Sequence, residues 1–269
     1  MKKLPSTALV TGAASGIGRE VALNCAGRGW TLVCVDINAE GLEATASEIR
    51  EKFGTTVHTL VINLAEPDSA EKCLAFCDEH QVEIDFLANV AGLFVFDPLV
   101  DASPERVDRL LGVHVYCLTH MCMVFGARMK ARRFGYIMNI SSMSAWMAMP
   151  GINVYNASKS YVRSLSRSLY FELKPWNVSV TAVCPGGIST PLLKISDKHR
   201  ELGCRLGVLM KPEKLADKAI KATLRKKIQT IPGLQNHFFT FFIRTLPDFM
   251  VSFIMKRVPA YDRFWKEQG

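Results

Sequence analysis

The sequence predicts an α/β fold, a doubly wound parallel sheet of about seven strands with helices on both faces. Two observations support this fold class. Short apolar runs alternate with longer helical segments along most of the chain, as in strands joined by crossover helices. The 269 residues are also 49% hydrophobic and 22% charged, which is enough for a sizeable core and excludes a disordered chain.

The strands are predicted from short runs of apolar and β-branched residues. These runs cover residues 7–11, 31–36, 56–62, 84–89, 136–141 and 178–183, with a seventh at 228–232. A helix is predicted after each of the first five strands and before the last: 16–28, 39–53, 67–80, 103–130, 154–174 and 211–227. Because helices separate the strands, right-handed crossovers and parallel pairing are expected.

The regular alternation ends after Pro185. Residues 188–210 are predicted to be irregular or to form short helices, as a lid would. No internal repeat or flexible linker interrupts the chain, so residues 1–233 are predicted to form one domain that includes this segment. Residues 234–269 are predicted to form a helical extension that is hydrophobic and basic.

The formal net charge of +8 is unevenly distributed. Residues 1–193 carry 17 Lys and Arg against 18 Asp and Glu, whereas residues 194–269 carry 16 against 7. The first three quarters of the chain are therefore close to neutral. Nucleic acid is not expected as a partner, because the basic residues belong to no recognised reader motif.

Eight cysteines are scattered along the chain without CxxC or paired Cys/His spacing. This pattern predicts buried reduced thiols and no metal site. It also predicts a cytoplasmic location, since the basic N-terminus lacks the features of a secretory signal. A membrane-spanning helix is not expected, because no run reaches 18 uninterrupted apolar residues.

A glycine-rich turn, residues 11–18 with the sequence TGAASGIG, lies between the first predicted strand and the first helix. Glycine there permits a tight turn and lets the backbone approach a pyrophosphate. The helix N-terminus offers free N–H groups and the positive end of its dipole to phosphate. The turn therefore predicts a dinucleotide site, with an ordinary strand-to-helix turn as the alternative.

Asp36 ends the second predicted strand. Its carboxylate is placed to accept both hydroxyls of an adenosine ribose and would repel a 2′-phosphate. No basic residue immediately precedes Gly16 to restore phosphate binding. NAD(H) is therefore favoured over NADP(H), unless Asp36 is only a strand-end turn residue.

Tyr155 and Lys159 lie four residues apart, on one face of a predicted helix. An ammonium beside a phenol lowers the pKa of the phenol, which suits a general acid/base near neutral pH. Ser142 follows the fifth strand, at the edge where open α/β sheets bind ligands. Its hydroxyl is expected to hold a substrate oxygen beside Tyr155.

Together these motifs resemble those of the short-chain dehydrogenase/reductase family, over about residues 5–192. Residues 11–18 match its TGxxxGxG pattern, and residues 89–92 (NVAG) resemble its NNAG motif. Ser142, Tyr155 and Lys159 match its catalytic set in order and spacing, and residues 185–190 (PGGIST) resemble its segment near the nicotinamide. The resemblance implies a Rossmann-type fold, hydride transfer between a nicotinamide and a carbinol or carbonyl carbon, and a homo-oligomer.

The resemblance also implies a role for each matching residue. Tyr155 would exchange a proton with the substrate oxygen, Lys159 would lower the pKa of Tyr155 and hold the nicotinamide ribose, and Ser142 would orient the substrate oxygen. Further cofactor contacts would come from Gly12, Ser15, Gly16, Ile17, Gly18, Asp36, Asn63, Leu64, Asn89, Ala91, Gly92, Pro185, Gly186, Ile188 and Thr190. Asn63 stands where the family usually has Asp, a mild departure.

His114 is a larger departure, because the family commonly has Asn at this place in the long helix after the fourth strand. That Asn helps to hold a water that links the lysine to solvent. A histidine could keep the local helix distortion, join the proton relay as a catalytic residue, or be a tolerated packing substitution.

The expected substrate site is apolar. Met143, Trp146, Met147 and Met149 follow Ser142, Phe94 and Phe96 follow Asn89, and the lid carries Leu192, Leu193, Leu206, Val208, Leu209 and Met210. Methionine and aromatic side chains shape adaptable apolar pockets, which favours a hydroxysteroid, a retinoid or a long acyl chain. Alternatively, many of these side chains belong to the core or to a subunit interface.

Residues 237–258 are rich in Phe, Ile and Met, but Arg244, Pro247 and Asp248 interrupt the run. The preferred interpretation is a helix pair that covers the substrate cleft or a neighbouring subunit. A peripheral contact with a membrane surface, with the flanking cations on anionic head groups, is the alternative. The segment also resembles the C-terminal extension of family members with hydrophobic substrates.

The sequence thus predicts an NAD(H)-dependent enzyme that interconverts a secondary alcohol and a ketone on a bulky hydrophobic substrate. A 3-oxoacyl-thioester reductase is the alternative within enzymes, although such reductases usually take NADPH. A non-catalytic NAD-sensing or scaffold protein is the alternative from another class. The intact Ser142, Tyr155 and Lys159 set argues against that last alternative.

Overall fold

The computed structural model describes residues 4–147, 149–190, 197–205, 208–245, 247–255 and 257. Seven parallel strands form one sheet in the order β3-β2-β1-β4-β5-β6-β7. They are β1 (Thr7–Thr11), β2 (Thr31–Asp36), β3 (Val57–Val61), β4 (Phe86–Asn89), β5 (Gly135–Ile140), β6 (Val178–Val183) and β7 (Gln229–Thr230). The predicted doubly wound sheet is confirmed, with its change of direction between β1 and β4.

Ten α-helices are described around this sheet. They are α1 (Gly16–Ala26), α2 (Ala39–Phe53), α3 (Ser69–Glu79), α4 (Pro104–Leu111), α5 (Leu118–Ala131), α6 (Asn153–Leu173), α7 (Asp197–Arg205), α8 (Pro212–Leu224), α9 (Leu234–Thr245) and α10 (Asp248–Met255). The predicted β7 is shorter than expected, while most other strand and helix limits fall within two residues of the prediction. One short helix, α7, lies in the segment 188–210, which was predicted to be irregular or to form short helices.

Alternate residues of the strands face opposite layers of helices. Ala8 and Val10 pack in one apolar cluster with α1, α2 and α8. Leu9, between them, packs in a second cluster with α3, α5 and α6. Helices therefore cover both faces, and the carboxyl ends of the strands are left to border a ligand site.

The long helix predicted over 103–130 is divided by a π-helical segment, Gly112–Cys117. A Cβ atom on Gly112 would lie 3.1 Å from the Cα atom of Ala65, so the helix approaches the loop after β3 closely. Such wide turns are frequent at functional sites. His114, the residue that departs from the usual Asn of the family pattern, lies in this π-helical segment.

Within the described residues, one helical stretch, Pro104–Ala131, is long and apolar enough to cross a membrane by length and composition alone. The sequence analysis did not identify this stretch, because it required 18 uninterrupted apolar residues. Half of its most apolar window is buried in the fold, and Met121, Phe125 and Met129 pack in the second apolar cluster. A core helix of an α/β domain has the same composition.

The eight cysteines are free thiols, and seven of them are buried. Burial raises the pKa of Cys34 and Cys122 to about 12, so both remain protonated at neutral pH. The predicted buried thiols are confirmed.

Candidate active site

The candidate site lies where the carboxyl ends of β1, β2, β4, β5 and β6 meet. The glycine-rich turn follows β1, and Asp36 ends β2. Residues 89–92 end and follow β4, and Ser142 follows β5. Residues 185–190 follow β6, so the sheet brings together motifs spread over 180 residues of sequence.

The glycine-rich turn is packed too closely to admit side chains. Gly12 has φ +74°, and a Cβ atom there would lie 2.9 Å from the Cα atom of Ala91. A Cβ atom on Gly18 would lie 2.0 Å from the carbonyl oxygen of Gly12. Gly16 has φ +53°, and a Cβ atom there would lie 3.3 Å from the methyl group of Thr190. The turn therefore holds α1, the loop after β4 and the segment after β6 at one point.

Thr11 fixes the loop after β4 to this turn, which the sequence analysis did not single out. Its Oγ1 atom accepts hydrogen bonds from the backbone N–H groups of Val90 (2.9 Å) and Ala91 (3.1 Å). The side chain is buried, so both bonds are shielded from water. A threonine directly before the glycines was the available signal.

The N-terminus of α1 is open to a ligand. Its N-cap residue is Ser15, whose exposed side chain makes no capping hydrogen bond. The N–H groups of the first turn, at Ile17 and Gly18, have no acceptor within the helix. Together with the positive end of the helix dipole, these donors fit a pyrophosphate.

The Asp36 side chain forms hydrogen bonds with both the glycine-rich turn and the loop that follows β2. Its Oδ2 atom accepts from the N–H of Ala14, and its Oδ1 atom accepts from the N–H of Asn38, both at 3.0 Å. Each carboxylate oxygen keeps a further lone pair for a ribose hydroxyl. The donor set around the turn thus fits the pyrophosphate and adenosine ribose of a dinucleotide.

Three predicted cofactor residues are partly engaged within the protein. The Oδ1 atom of Asn63 accepts from the N–H of Ala65 at 3.1 Å, and Leu64 is buried in the second apolar cluster. The Nδ2 atom of Asn89 donates to Oδ1 of Asn139 at 2.8 Å inside the core. Asn89 therefore presents its backbone, rather than its side chain, to a ligand.

Asn139 and Ser166 complete a buried polar network that the sequence analysis missed. The Nδ2 atom of Asn139 donates to Oγ of Ser166 at 2.9 Å, and neither side chain is exposed. This network joins β4, β5 and α6 beneath the site. A polar residue in the middle of an apolar strand was its signal.

Ser142, Tyr155 and Lys159 are brought together at the end of β5. The Ser142 hydroxyl lies close enough to Tyr155 to lower the pKa of that phenol. Ser142 also caps the 3₁₀ turn Met143–Trp146, since its Oγ accepts from the N–H of Ser144 at 3.1 Å. The Nζ atom of Lys159 lies 5.7 Å from the centre of the Tyr155 ring and donates to the carbonyl oxygen of Ile140 at 3.0 Å.

The pKa of Tyr155 differs from the expectation. Burial raises it, and the nearby Ser142 side chain lowers it only in part. Burial also lowers the pKa of Lys159 to about 8. The expected lowering of the tyrosine pKa by Lys159 is thus wrong for this structure, because desolvation dominates and the ammonium is directed to Ile140.

His114 uses both ring nitrogens within the protein. Its Nε2 atom accepts from the N–H of Leu93 at 2.8 Å, and its Nδ1 atom donates to Oγ of Ser158 at 2.9 Å. The hydroxyl of Ser158 in turn donates to the carbonyl oxygen of Tyr155 at 2.7 Å. The pKa of His114 lies well below 6.5, first because of burial and then because of the nearby Lys159 charge. A neutral imidazole therefore braces the loop after β4 against α6.

Ser141 and Gly92 add two further contacts around Lys159. The hydroxyl of Ser141 donates to the carbonyl oxygen of Lys159 at 2.7 Å. A Cβ atom on Gly92 would lie 3.1 Å from Nε2 of His114 and 3.8 Å from Nζ of Lys159. Glycine at this position leaves the space between the loop and the lysine open.

The predicted substrate residues are not equally close to Tyr155. The Phe94 ring meets the Tyr155 ring edge to face, with centroids 5.1 Å apart. Met143 and Met149 are half-buried, and Met143 begins the 3₁₀ turn that follows β5. The Trp146 ring instead lies 4.3 Å from the guanidinium of Arg163, two turns further along α6. Leu192, together with Leu193 and Leu206, lies outside the described residues.

The segment after β6 closes one side of the site. The carbonyl oxygen of Pro185 accepts from the N–H of Met143 at 2.8 Å, and Ile188 pairs with Met210. A Cβ atom on Gly186 would lie 2.6 Å from Oδ1 of Asn236 in α9. Helix α9 also packs against the turn Met143–Trp146, so the extension touches the border of the site.

No group of three or more His, Cys, Asp or Glu side chains among the described residues is placed to hold a metal ion. The chemistry available at the site is that of a phenol, a hydroxyl, an ammonium and backbone N–H groups beside a dinucleotide cradle.

Two curated relatives are similar to this chain in sequence. The chain is 32% identical to "Probable oxidoreductase EphD" of Mycobacterium tuberculosis over 81% of its length, and spans only 39% of that protein. It is also 32% identical to the 3-oxoacyl-[acyl-carrier-protein] reductase FabG of Thermotoga maritima, covering 77% of this chain and 86% of that protein. The chain thus spans about two fifths of the first relative and most of the second.

Solved structures share the fold. The bulky-bulky ketone specific alcohol dehydrogenase of Comamonas testosteroni has a TM-score of 0.75 and 27% identity, covering 95% of each chain. A short-chain dehydrogenase of Sphingobium yanoikuyae in complex with NADPH has a TM-score of 0.77 and 28% identity, covering 95% of this chain and 96% of that chain. The family model described as short chain dehydrogenase matches residues 6–201. The chain therefore belongs to the short-chain dehydrogenase family of oxidoreductases.

Proposed function

We propose that the protein is an NAD(H)-dependent oxidoreductase that interconverts a secondary alcohol and a ketone on a bulky hydrophobic substrate. The observation that carries this proposal is the cluster of Ser142, Tyr155 and Lys159 at the sheet edge that also holds the glycine-rich turn. A nicotinamide dinucleotide would supply or accept the hydride. The protein supplies the proton and the orientation of the substrate.

Tyr155 is the proposed general acid/base. Its hydroxyl would give a proton to the carbonyl oxygen during reduction and take it back during oxidation. Ser142, whose side chain lies close to that hydroxyl, would hold the same substrate oxygen. Lys159 must leave the Ile140 carbonyl, or share its donors with it, to hold the cofactor ribose and stabilise the phenolate.

His114 is proposed as a positioning residue rather than a proton relay. Its two ring nitrogens are bound to Leu93 and Ser158, and burial keeps it neutral. A relay would require at least one of these bonds to break. The ring instead fixes the backbone on both sides of Lys159.

Asp36 supports NAD(H) as the cofactor. Its carboxylate points at the glycine-rich turn through the bond to Ala14 and would repel a 2′-phosphate. The NADPH-bound relative from Sphingobium yanoikuyae makes NADP(H) the competing cofactor. Initial rates with both cofactors, compared in wild type and Asp36→Ala, separate them. NAD(H) preference in wild type that weakens in the variant supports the assignment.

Phe94 and Met143 support an apolar substrate, because the Phe94 ring contacts Tyr155 and the half-buried Met143 follows β5 directly after Ser142. The similar alcohol dehydrogenase of Comamonas testosteroni is specific for bulky-bulky ketones. Steroid, retinoid and bulky aryl ketones are therefore the first substrates to assay. Turnover confined to small polar sugars contradicts this substrate class.

A 3-oxoacyl-thioester reductase is the second candidate, favoured by the 32% identity to the FabG reductase of Thermotoga maritima. A 3-oxoacyl thioester should be included beside the ketones in the same panel. A higher kcat/KM on the thioester than on any free ketone would favour this candidate.

A homo-oligomer is proposed from exposed apolar side chains on the helices of one sheet face. Tyr116 in the π segment, Met123 on α5 and Phe171 on α6 are each more than 60% exposed. Paired copies commonly bury such side chains. Light scattering of the purified protein measures the assembly, and a monomer at all concentrations contradicts it.

Tyr155→Phe tests the enzyme assignment against a non-catalytic cofactor-binding protein. The variant keeps the ring that contacts Phe94 and removes only the hydroxyl. We expect kcat to fall by roughly 1,000-fold while dinucleotide affinity changes little. Calorimetric titration with NADH and initial rates provide the two measurements. A variant with unchanged turnover would refute the role of Tyr155.

A further inference from the structure

Helix α9 has the reverse of the usual polarity of a surface helix. Its polar residues Asn236 and Thr240 lie against the domain: Thr240 is 4% exposed and donates to the carbonyl oxygen of Asn236. Asn236 lies beside Gly186, next to the candidate site. The aromatic residues between and after them are 50–67% exposed: Phe238, Phe239, Phe241 and Phe242.

Helix α10 follows α9 in the chain and also exposes large apolar side chains. They are Phe249, Met250 and Phe253. Seven large apolar side chains thus face solvent on two consecutive helices. Soluble proteins usually expose such side chains singly, and contiguous groups mark interaction sites. The Phe rings of α9 are exposed rather than packed over the substrate cleft, and the other part of the preferred interpretation, contact with a neighbouring subunit, stays a prediction.

Cations accompany the aromatic side chains. Arg244 lies in α9, and Lys256 and Arg257 follow α10, whereas Asp248 is the one acidic residue in the sequence 234–257. The guanidinium of Arg257 lies over the Phe253 ring, 3.7 Å from its centre. This arrangement lets an aromatic ring enter an apolar layer while the cation remains at its polar boundary.

We propose that α9 and α10 form a membrane-binding surface for bilayers with anionic lipids. The helices would lie in the plane of the interface, with the Phe rings among the acyl chains and the cations at the headgroups. A second copy is a poorer occupant, because pairing this surface with itself would bring two basic segments together. Binding to the bilayer does not depend on the proposed chemistry, so it can be tested without substrate.

The test is flotation of the full-length protein with vesicles of phosphatidylcholine, alone or with phosphatidylserine. We expect wild type to float with the anionic vesicles and far less with the neutral ones, and added salt to weaken binding. Two variants should each lower the bound fraction about tenfold: one with Phe238, Phe241 and Phe242 changed to Ser, and K256Q/R257Q. Phe53→Ser, at a partly exposed Phe that ends α2, is the matched control and should bind as wild type.

Thermal melts and NADH titration of each variant establish that the domain remains folded. Wild type that stays unbound with anionic vesicles overturns the proposal, as does a triple Phe variant that floats like wild type. Smaller particles of the triple variant by light scattering, without vesicle binding by wild type, would identify the surface as a self-association interface. If wild type binds the vesicles but does not bind NADH, the result counts against the proposed function and leaves the membrane-binding proposal intact.

Discussion

The turn after β1 and the helix that carries Tyr155 border the same site, but different physical features shape them. In the turn, backbone atoms lie so close together that Gly12 and Gly18 leave no room for a Cβ atom. Around α6, space is available and buried titratable side chains dominate: Lys159, His114 and Tyr155 all have pKa values shifted by burial. The cofactor side is therefore specified by shape, and the catalytic side by desolvation and hydrogen bonds.

Gly18→Ala is expected to have the largest effect, because it adds one carbon to the region specified by shape. That carbon would overlap the carbonyl oxygen of Gly12, at 2.0 Å. Relief requires movement of the turn and α1, so we expect no measurable dinucleotide binding and a loss of stability of about 3 kcal/mol. Calorimetry and urea unfolding measure both effects.

Gly27→Ala is the matched control at the other end of α1. Gly27 has φ −62°, and a Cβ atom there would meet its nearest neighbour, the Phe53 ring, at 3.4 Å. This variant should bind dinucleotide like wild type. Equal binding by Gly18→Ala would show that the turn adapts and would remove the contrast between the two regions.

Lys159→Met tests the region specified by desolvation. The pKa of Lys159 is about 8 in the folded protein and about 10.4 when unfolded. Between these values the unfolded chain binds a proton that the folded protein does not, so wild-type stability should rise with pH by about 3 kcal/mol from this group. In the variant that contribution should be absent, and kcat/KM should fall roughly 100-fold.

Urea unfolding of both proteins at pH 7.5 and pH 10 gives the comparison, because the difference between them cancels the other titrating groups. Identical pH dependence in wild type and variant would mean that Lys159 is not desolvated as its burial indicates.

The sequence was sufficient for what depends on local pattern and chain order. The strand that ends at Asp36, the strand that precedes Ser142 and the convergence of Tyr155 and Lys159 follow from periodicity and from the shared edge of parallel strands. The direction of the Tyr155 pKa shift could not be predicted, because it depends on burial by distant residues such as Phe94. The orientation of the α9 aromatic side chains could not be decided for the same reason: Asn236 lies beside Gly186 and donates to the carbonyl oxygen of Pro232, which a helical pattern alone cannot show.

His114→Asn should have the smallest effect on turnover, since it restores the residue common in the family. It tests whether a buried side chain near Lys159 acts through position alone. The folded protein keeps His114 neutral far below pH 6.5, whereas the unfolded chain protonates it there. Because the unfolded state then binds more protons, wild-type stability should fall as the pH drops below 6.5. In His114→Asn this fall in stability at low pH should be absent. We expect kcat to stay within about tenfold of wild type, since Asn can still pair with Leu93 or Ser158.

His237→Asn, at an exposed position in α9, is the control for loss of a histidine. A loss of turnover in His114→Asn as large as that in Lys159→Met would reveal a direct part for the imidazole in proton transfer, and the positioning role would have to be abandoned.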